Sequence, residues 1–160
     1  MAFDPMAQRR IMGRFATGVT VVTTRQDDLL HGMTANAVAS LSLTPPLILV
    51  AVDRRSLMHG HLMQNRCFAV SVLRADQESI SRRFAVPGPK DFSGLNLTTA
   101  ETGAPILADA LAFVDCRLVE ILEGGDHDIF IGEIVAGEVC DGRPLIFYEG
   151  KYAQLADPGP

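Results

Sequence analysis

The chain has 160 residues, 48% of them hydrophobic, which suffices for one well-buried core and falls short of two ordinary domains. Its net charge of −5, with arginines scattered along the sequence, excludes the basic stripe that nucleic-acid binding needs. No run approaches the roughly eighteen apolar residues of a membrane span, and Met1-Ala2-Phe3-Asp4-Pro5 lacks a basic-then-apolar signal pattern, so the expected location is cytoplasmic.

Asp4-Pro5 reads as an acidic N-cap with proline at the first helical position, and Ile11, Met12 and Phe15 continue at helical spacing toward Gly18. From Val19 to Thr24 the residues are β-branched, and Gln26-Asp27-Asp28 supplies turn chemistry, so a hairpin is expected to lead into the next segment. That segment, Gly32 to Pro46, carries small residues at almost every other position and leaves the backbone open to a flat ligand. Thr44-Pro45-Pro46 interrupts any strand, which makes Leu47 to Val52 a separate, fully buried strand ending in the polar turn Asp53 to Ser56. Ser56 is expected to cap a helix through Asn65, Cys67 to Leu73 to form a strand, and Asp76 to cap a helix presenting Ile80 and Phe84 on one face. Ala85 to Phe92 follows as a loop.

The second half reads as strand: Ala112 to Leu122, a turn at Gly124-Gly125-Asp126, Asp128 to Val139, and Leu145 to Tyr148 after Asp141-Gly142-Arg143-Pro144. Antiparallel strands with short turns predict a mainly β barrel with a few flanking helices, one domain over 1–156 with a loose tail at 157–160. Cys67, Cys116 and Cys140 are odd in number and far apart, which argues against a disulfide framework or a metal set and predicts buried, reduced thiols.

Neither GxGxxG nor GxxxxGK[ST] occurs, so Rossmann and P-loop nucleotide sites are unsupported. A nucleotide cofactor then needs another route. The amides around Thr34 to Asn36 suit a heteroaromatic ring, and Arg54, Arg55 and Ser56 suit a phosphate. The same residues also fit tightly packed strands followed by a solvated turn. His59-Gly60-His61 has no metal-binding partner at recognisable spacing and reads as exposed. His127, between Asp126 and Asp128, is presented by a glycine turn at a strand entrance, either as a site residue or as an exposed turn histidine. No GxSxG elbow supports hydrolysis, and Asp126 with Asp128 or Glu120 with Glu123 read as solvated turn charges.

Taken in order, Phe15 to Thr24, Gly32 to Pro46, Asp53 to Ser56, Phe84 to Phe92, Gly125 to Glu133 and Pro144 to Tyr152 resemble the motifs of the flavin reductase domain family. This family comprises the short FMN-binding split-barrel reductases of two-component monooxygenases. The resemblance implies an antiparallel, Greek-key-like split barrel and hydride transfer from NADH, with NADPH as the alternative donor, to FMN or FAD. It also implies a homodimer and delivery of reduced flavin to a partner monooxygenase.

By position, the resemblance puts Met33, Thr34, Ala35 and Asn36 against the isoalloxazine, with Ser40 and Ser42 along the same strand and Val50, Ala51 and Val52 beside it. Asp53, Arg54, Arg55 and Ser56 would meet the ribityl phosphate. Ser81, Arg82, Arg83 and Phe84 would border the flavin tail, and Lys90 and Phe92 would lie in a closing loop. His127 and Tyr152 would face the nicotinamide, His127 orienting the donor or balancing charge on reduced flavin. The alternatives are a reductase that retains its flavin and serves another acceptor such as a cobalt corrinoid, and a non-catalytic flavin-binding barrel.

Overall fold

The computed structural model describes residues 1–157. Helix α1 (Pro5–Met12) starts as expected, with Asp4 accepting from the amides of Met6 and Ala7. It stops at Gly13, short of Phe15, and none of its residues is buried. A periodic apolar pattern without a surface to pack on does not extend a helix.

Seven antiparallel strands form the main sheet: β2 (Thr20–Gln26), β3 (Leu29–Ala35), β4 (Val38–Leu43), β5 (Pro46–Asp53), β6 (Cys67–Val72), β9 (Ala112–Gly124) and β10 (His127–Val139). Their spatial order is β3-β2-β6-β9-β10-β5-β4. A smaller sheet joins β1 (Thr17–Gly18), β11 (Leu145–Tyr148) and β12 (Lys151–Gln154), and β7 (Leu97–Thr98) pairs with β8 (Ile106–Leu107). Helix α2 spans Leu57–Asn65 and α3 spans Glu78–Ala85.

One cluster of buried side chains collects Val22 of β2, Ala35 of β3, Val50 of β5, Phe68 of β6, Cys116 of β9 and Phe130 of β10, with Met58 and Leu62 of α2. Strands from both ends of the order thus share one interior, so the sheet curls into a barrel that α2 helps to fill. The barrel is split between β3 and β4, which are consecutive in sequence but unpaired with each other. A second cluster, including Val19, Val21, Leu73, Phe84 and Leu145, packs α3 and the smaller sheet against the outside of β2.

Several local expectations change. Leu47 to Val52 is not buried throughout: β5 alternates, with Ile48, Val50 and Val52 inside and Leu47, Leu49 and Ala51 half-buried, because the sheet has only one dry face here. Pro46 begins that strand and pairs with Leu43 beyond the last β10 partner, Leu47, so it interrupts no central ladder. Asp76 does not cap α3. Gln77 is the N-cap residue, and its Oε1 accepts from the Arg74 amide. The thiols are not all buried: Cys116 is, Cys67 is half-buried and Cys140 is exposed. Burial, reinforced by Asp115, pushes the Cys116 thiol up to about 12. Asp157 pairs with Arg143, and the rest of the expected tail, 158–160, lies outside the described residues.

Candidate functional site

Strand β3 pairs with β2 on one side and, among the described residues, with no strand on the other. Its free edge opens on three adjoining clefts that all include Thr34. The largest, about 440 Å³, runs from Gly32, Met33 and Thr34 past Asp53, Arg55 and Ser56 to Phe84 and the loop residues Val86, Gly88 and Lys90. A second, about 220 Å³, continues along Thr34 to Ala37 to Ala51, Val52, Ser56 and His127. A third, about 230 Å³, turns from Thr34, Ala35 and Asn36 toward Ser81, Phe147 and Tyr152.

The Thr34 hydroxyl donates to the Ser81 carbonyl at 2.6 Å, so its side chain is tied back and the strand offers the groove mainly backbone. Ser81 Oγ lies 2.7 Å from the Tyr152 hydroxyl, and the Arg82 guanidinium sits over the Tyr152 ring, 4.8 Å from its centroid. Gly32 lies flush against α3: a β-carbon there would come within 2.8 Å of the Phe84 ring. Phe84 in turn meets Phe92 edge-on at 5.0 Å.

At one end of the largest cleft, the turn 53–56 enters α2. Ser56 caps the helix by accepting from the His59 amide at 3.3 Å. Asp53 accepts from the Arg55 guanidinium at 2.8 Å and from the Arg55 amide at 2.8 Å. These bonds hold the Asp53 carboxyl well below the usual carboxylate range. The pairing is therefore in force at neutral pH and is lost only as pH falls through that lowered value. Lys90 Nζ donates to the carbonyls of Val86 and Gly88, tying the loop at the other side of the cleft, and partial burial lowers its pKa.

His127 is partly exposed, and its Nδ1 lies 2.7 Å from Asp126 Oδ1, which leaves Nε2 for a ligand. The His127 ring is the main cause holding the Asp126 carboxyl below its ordinary value.

The groove thus gathers Met33, Thr34, Ala35, Asn36, Ala51, Val52, Asp53, Arg55, Ser56, Ser81, Phe84, Lys90, His127 and Tyr152. Other expected site residues line none of the three clefts. Arg54 turns away to Asp128, with Nε at 2.9 Å and Nη2 at 2.7 Å from its Oδ1. Ser40 and Ser42 lie on β4, the opposite edge strand, where Ser42 Oγ accepts from the Thr44 amide. Val50 is buried in the barrel interior. Arg82 pairs with Glu78, and Arg83 donates to the carbonyls of Asp91 and Ser93, bracing the loop from outside. Phe92 packs behind Phe84.

Conversely, the histidines read as exposed are not: His59 Nε2 lies 2.7 Å from Asp128 Oδ2, and the His61 ring stacks on His31 at 3.4 Å. Their partners are distant in sequence, which hides such contacts from local spacing. Leu57, Met58, Ala85 and Pro87 also line the largest cleft; Ala85 and Pro87 fall in the loop expected from Ala85 to Phe92 and Leu57 directly follows the 53–56 turn, but nothing in the sequence marks Met58.

The family model for the flavin reductase like domain matches residues 12–156. The chain is 40% identical over 98% of its length to an NADH-dependent FAD reductase of Streptomyces globisporus, covering 90% of that protein. It is 38% identical over 97% of its length to the reductase component of a 4-nitrophenol 4-monooxygenase/4-nitrocatechol 2-monooxygenase of Rhodococcus opacus, covering 89% of it. Among solved structures it superposes with a TM-score of 0.92, at 38% identity and with 100% and 99% of the two chains covered, on the NADH:FAD oxidoreductase of Streptomyces globisporus C-1027 in complex with NAD and FAD fragments. A match that runs through all three sheets and every segment lining the groove leaves one assignment: the chain belongs to the flavin reductase like domain family.

Proposed function

We propose that this chain is an NADH-dependent flavin reductase that reduces FMN or FAD and supplies reduced flavin to a partner monooxygenase. The observation that carries the reading is the free edge of β3 backing a continuous groove, with the Arg55–Ser56 turn at one end and His127 at the side. A planar, amphipathic ring with a phosphorylated tail fits that donor set: backbone amides and carbonyls for the ring's polar edge, a guanidinium and a helix start for the tail. When bound, the flavin supplies the hydride-accepting ring.

The protein's own part is positioning. Thr34 to Asn36 hold the ring's edge, Arg55 and Ser56 fix the tail, and the Lys90 loop narrows access for water. His127, steadied by Asp126, orients the nicotinamide donor and offsets negative charge that develops on reduction. Tyr152, fixed by Ser81 and Arg82, forms the wall of the third cleft against the donor. No side-chain nucleophile is required.

Homodimerisation is part of the reading, supported by apolar side chains left exposed on α1 (Met6, Ile11, Met12) and β4 (Leu41, Leu43). Among the described residues no helix is long and apolar enough to cross a membrane. A cytoplasmic setting agrees with cysteines that are all free.

The test is NADH oxidation under air, followed at the nicotinamide absorbance with and without added FMN or FAD. Flavin-dependent oxidation is the expected result; no oxidation with either nicotinamide donor would overturn the reading. Within this frame, Arg55→Ala is expected to reduce the preference for FMN over riboflavin by about tenfold, because a charge-assisted bond to phosphate is lost. Flavin titration by fluorescence measures it, and an unchanged ratio would remove Arg55 from the phosphate end.

A further inference from the structure

Strand alternation sends the first two side chains of β10 to opposite faces: His127 onto the groove and Asp128 behind it. Asp128 is buried, with 12% of its side chain exposed, and both its oxygens are engaged. Oδ1 takes Nε and Nη2 of Arg54, and Oδ2 takes Nε2 of His59 at 2.7 Å. Arg54 precedes Arg55 in the 53–56 turn. His59 lies in the first turn of α2, its amide capped by Ser56 and its ring edge-on to Phe130 at 5.3 Å. The carboxylate therefore grips the chain on both sides of Arg55 and Ser56, which together with Asp53 are the turn residues that line the largest cleft. A backbone bond from the Arg54 amide to the Asp126 carbonyl, 3.1 Å, ties the same turn to the His127 hairpin.

We propose that Asp128 is a positioning residue which, through Arg54 and His59, holds the 53–56 turn in its phosphate-receiving form and in register with His127. The proposal rests on the reading of that turn as the phosphate end of the groove. In it Arg54 acts on the turn rather than on the ligand, because its guanidinium is already committed to a buried carboxylate that would lose both bonds to Oδ1, keeping only the His59 contact, if the arginine swung out. A turn fixed before the ligand arrives loses less conformational freedom on binding, so loosening the grip weakens phosphate binding and leaves ring binding alone.

The two possible roles of Arg54 differ in sign. Asp128→Asn removes the carboxylate charge that holds Arg54. If Arg54 positions the turn, FMN binds about tenfold more weakly while riboflavin, which lacks the phosphate, stays within about twofold. Tighter FMN binding would mean that the freed arginine meets the phosphate itself, and would overturn the proposal. Equal losses for FMN and riboflavin would also overturn it, since a general loosening of the fold would move both.

Should Asp128→Asn not fold, the His59 pair serves. His59→Gln keeps an N–H donor for Asp128 and is expected to bind FMN nearly as the parent does, whereas His59→Leu is expected to show the selective loss. Indistinguishable FMN affinities for these two variants would overturn the proposal. A parent chain with no preference for FMN over riboflavin would instead overturn the phosphate reading of the turn, which separates that failure from this one.

Discussion

Replacing Phe68 by alanine is expected to destabilise the protein by about 3–5 kcal/mol. The Phe68 ring is fully buried in the barrel interior, on β6 opposite Cys116 of β9. It lies directly over Gly132 of β10: a β-carbon on Gly132 would come within 2.5 Å of its Cζ and 2.8 Å of the Cys116 Cβ. The β9–β10 ladder shifts register between Ile131 and Gly132, so the bulge and the missing side chain together make room for the ring. Removing the ring leaves a cavity that three hydrogen-bonded strands cannot close by moving inward.

The reverse change is informative too. Gly132→Ala should cost about 1–3 kcal/mol by overpacking the same space. Because the two residues share one volume, Phe68→Leu combined with Gly132→Ala is expected to be less harmful than the sum of the single changes. Urea unfolding of the parent, the single variants and the double variant measures this coupling. Strict additivity would show that Phe68 and Gly132 do not compete for space.

The second large effect is on turnover. His127→Ala is expected to lower kcat/KM for NADH by about 10–100-fold, equivalent to about 1.4–2.7 kcal/mol of transition-state stabilisation, while flavin affinity stays within about twofold. The ring reaches the groove beside Thr34 to Asn36, its Nδ1 is engaged by Asp126, and its backbone is paired with Asp53 of the 53–56 turn. Its free nitrogen is thus carried on a hairpin whose position is set by the same turn.

The Asp126 carboxyl, held below its ordinary value by His127, remains ionised across the neutral range, so the anchor is lost only as pH falls through that lowered value. Steady-state rates with varied NADH at saturating flavin, together with flavin titrations, separate the alternatives. Unchanged turnover would remove His127 from the reaction, and a parallel loss of flavin affinity would place it on the flavin side instead.

Much of the architecture was legible in the sequence, because local chemistry decides where segments start and stop. Asp4 and Ser56 cap their helices through bonds from neighbouring backbone amides, and the Gln26-Asp27-Asp28 turn closes the β2–β3 hairpin at the Gln26–Leu29 pair. The long β9–β10 hairpin was likewise visible from the strand segments Ala112 to Leu122 and Asp128 to Val139 on either side of the Gly124-Gly125-Asp126 turn. The helix end at Gly13 and the cap of α3 were not, since packing and the Gln77–Arg74 contact decide them.

For the candidate site, the sequence by itself determined the small-residue stretch, the polar turn and the histidine at a strand entrance, all of which are sequential features. Only the tertiary structure decided how they meet. Sheet order leaves β3 with a free edge, so Thr34 to Asn36 line the groove while Ser40 and Ser42, a few residues on, face elsewhere from β4. Two adjacent arginines are likewise parted: Arg55 lines the groove, while Arg54 is drawn to Asp128, 74 residues away along the chain. His59 is withdrawn from solvent by the same carboxylate. The physical reason is that a buried carboxylate must find its partners through space, and the strand pairing that brings β10 beside β5 selects them.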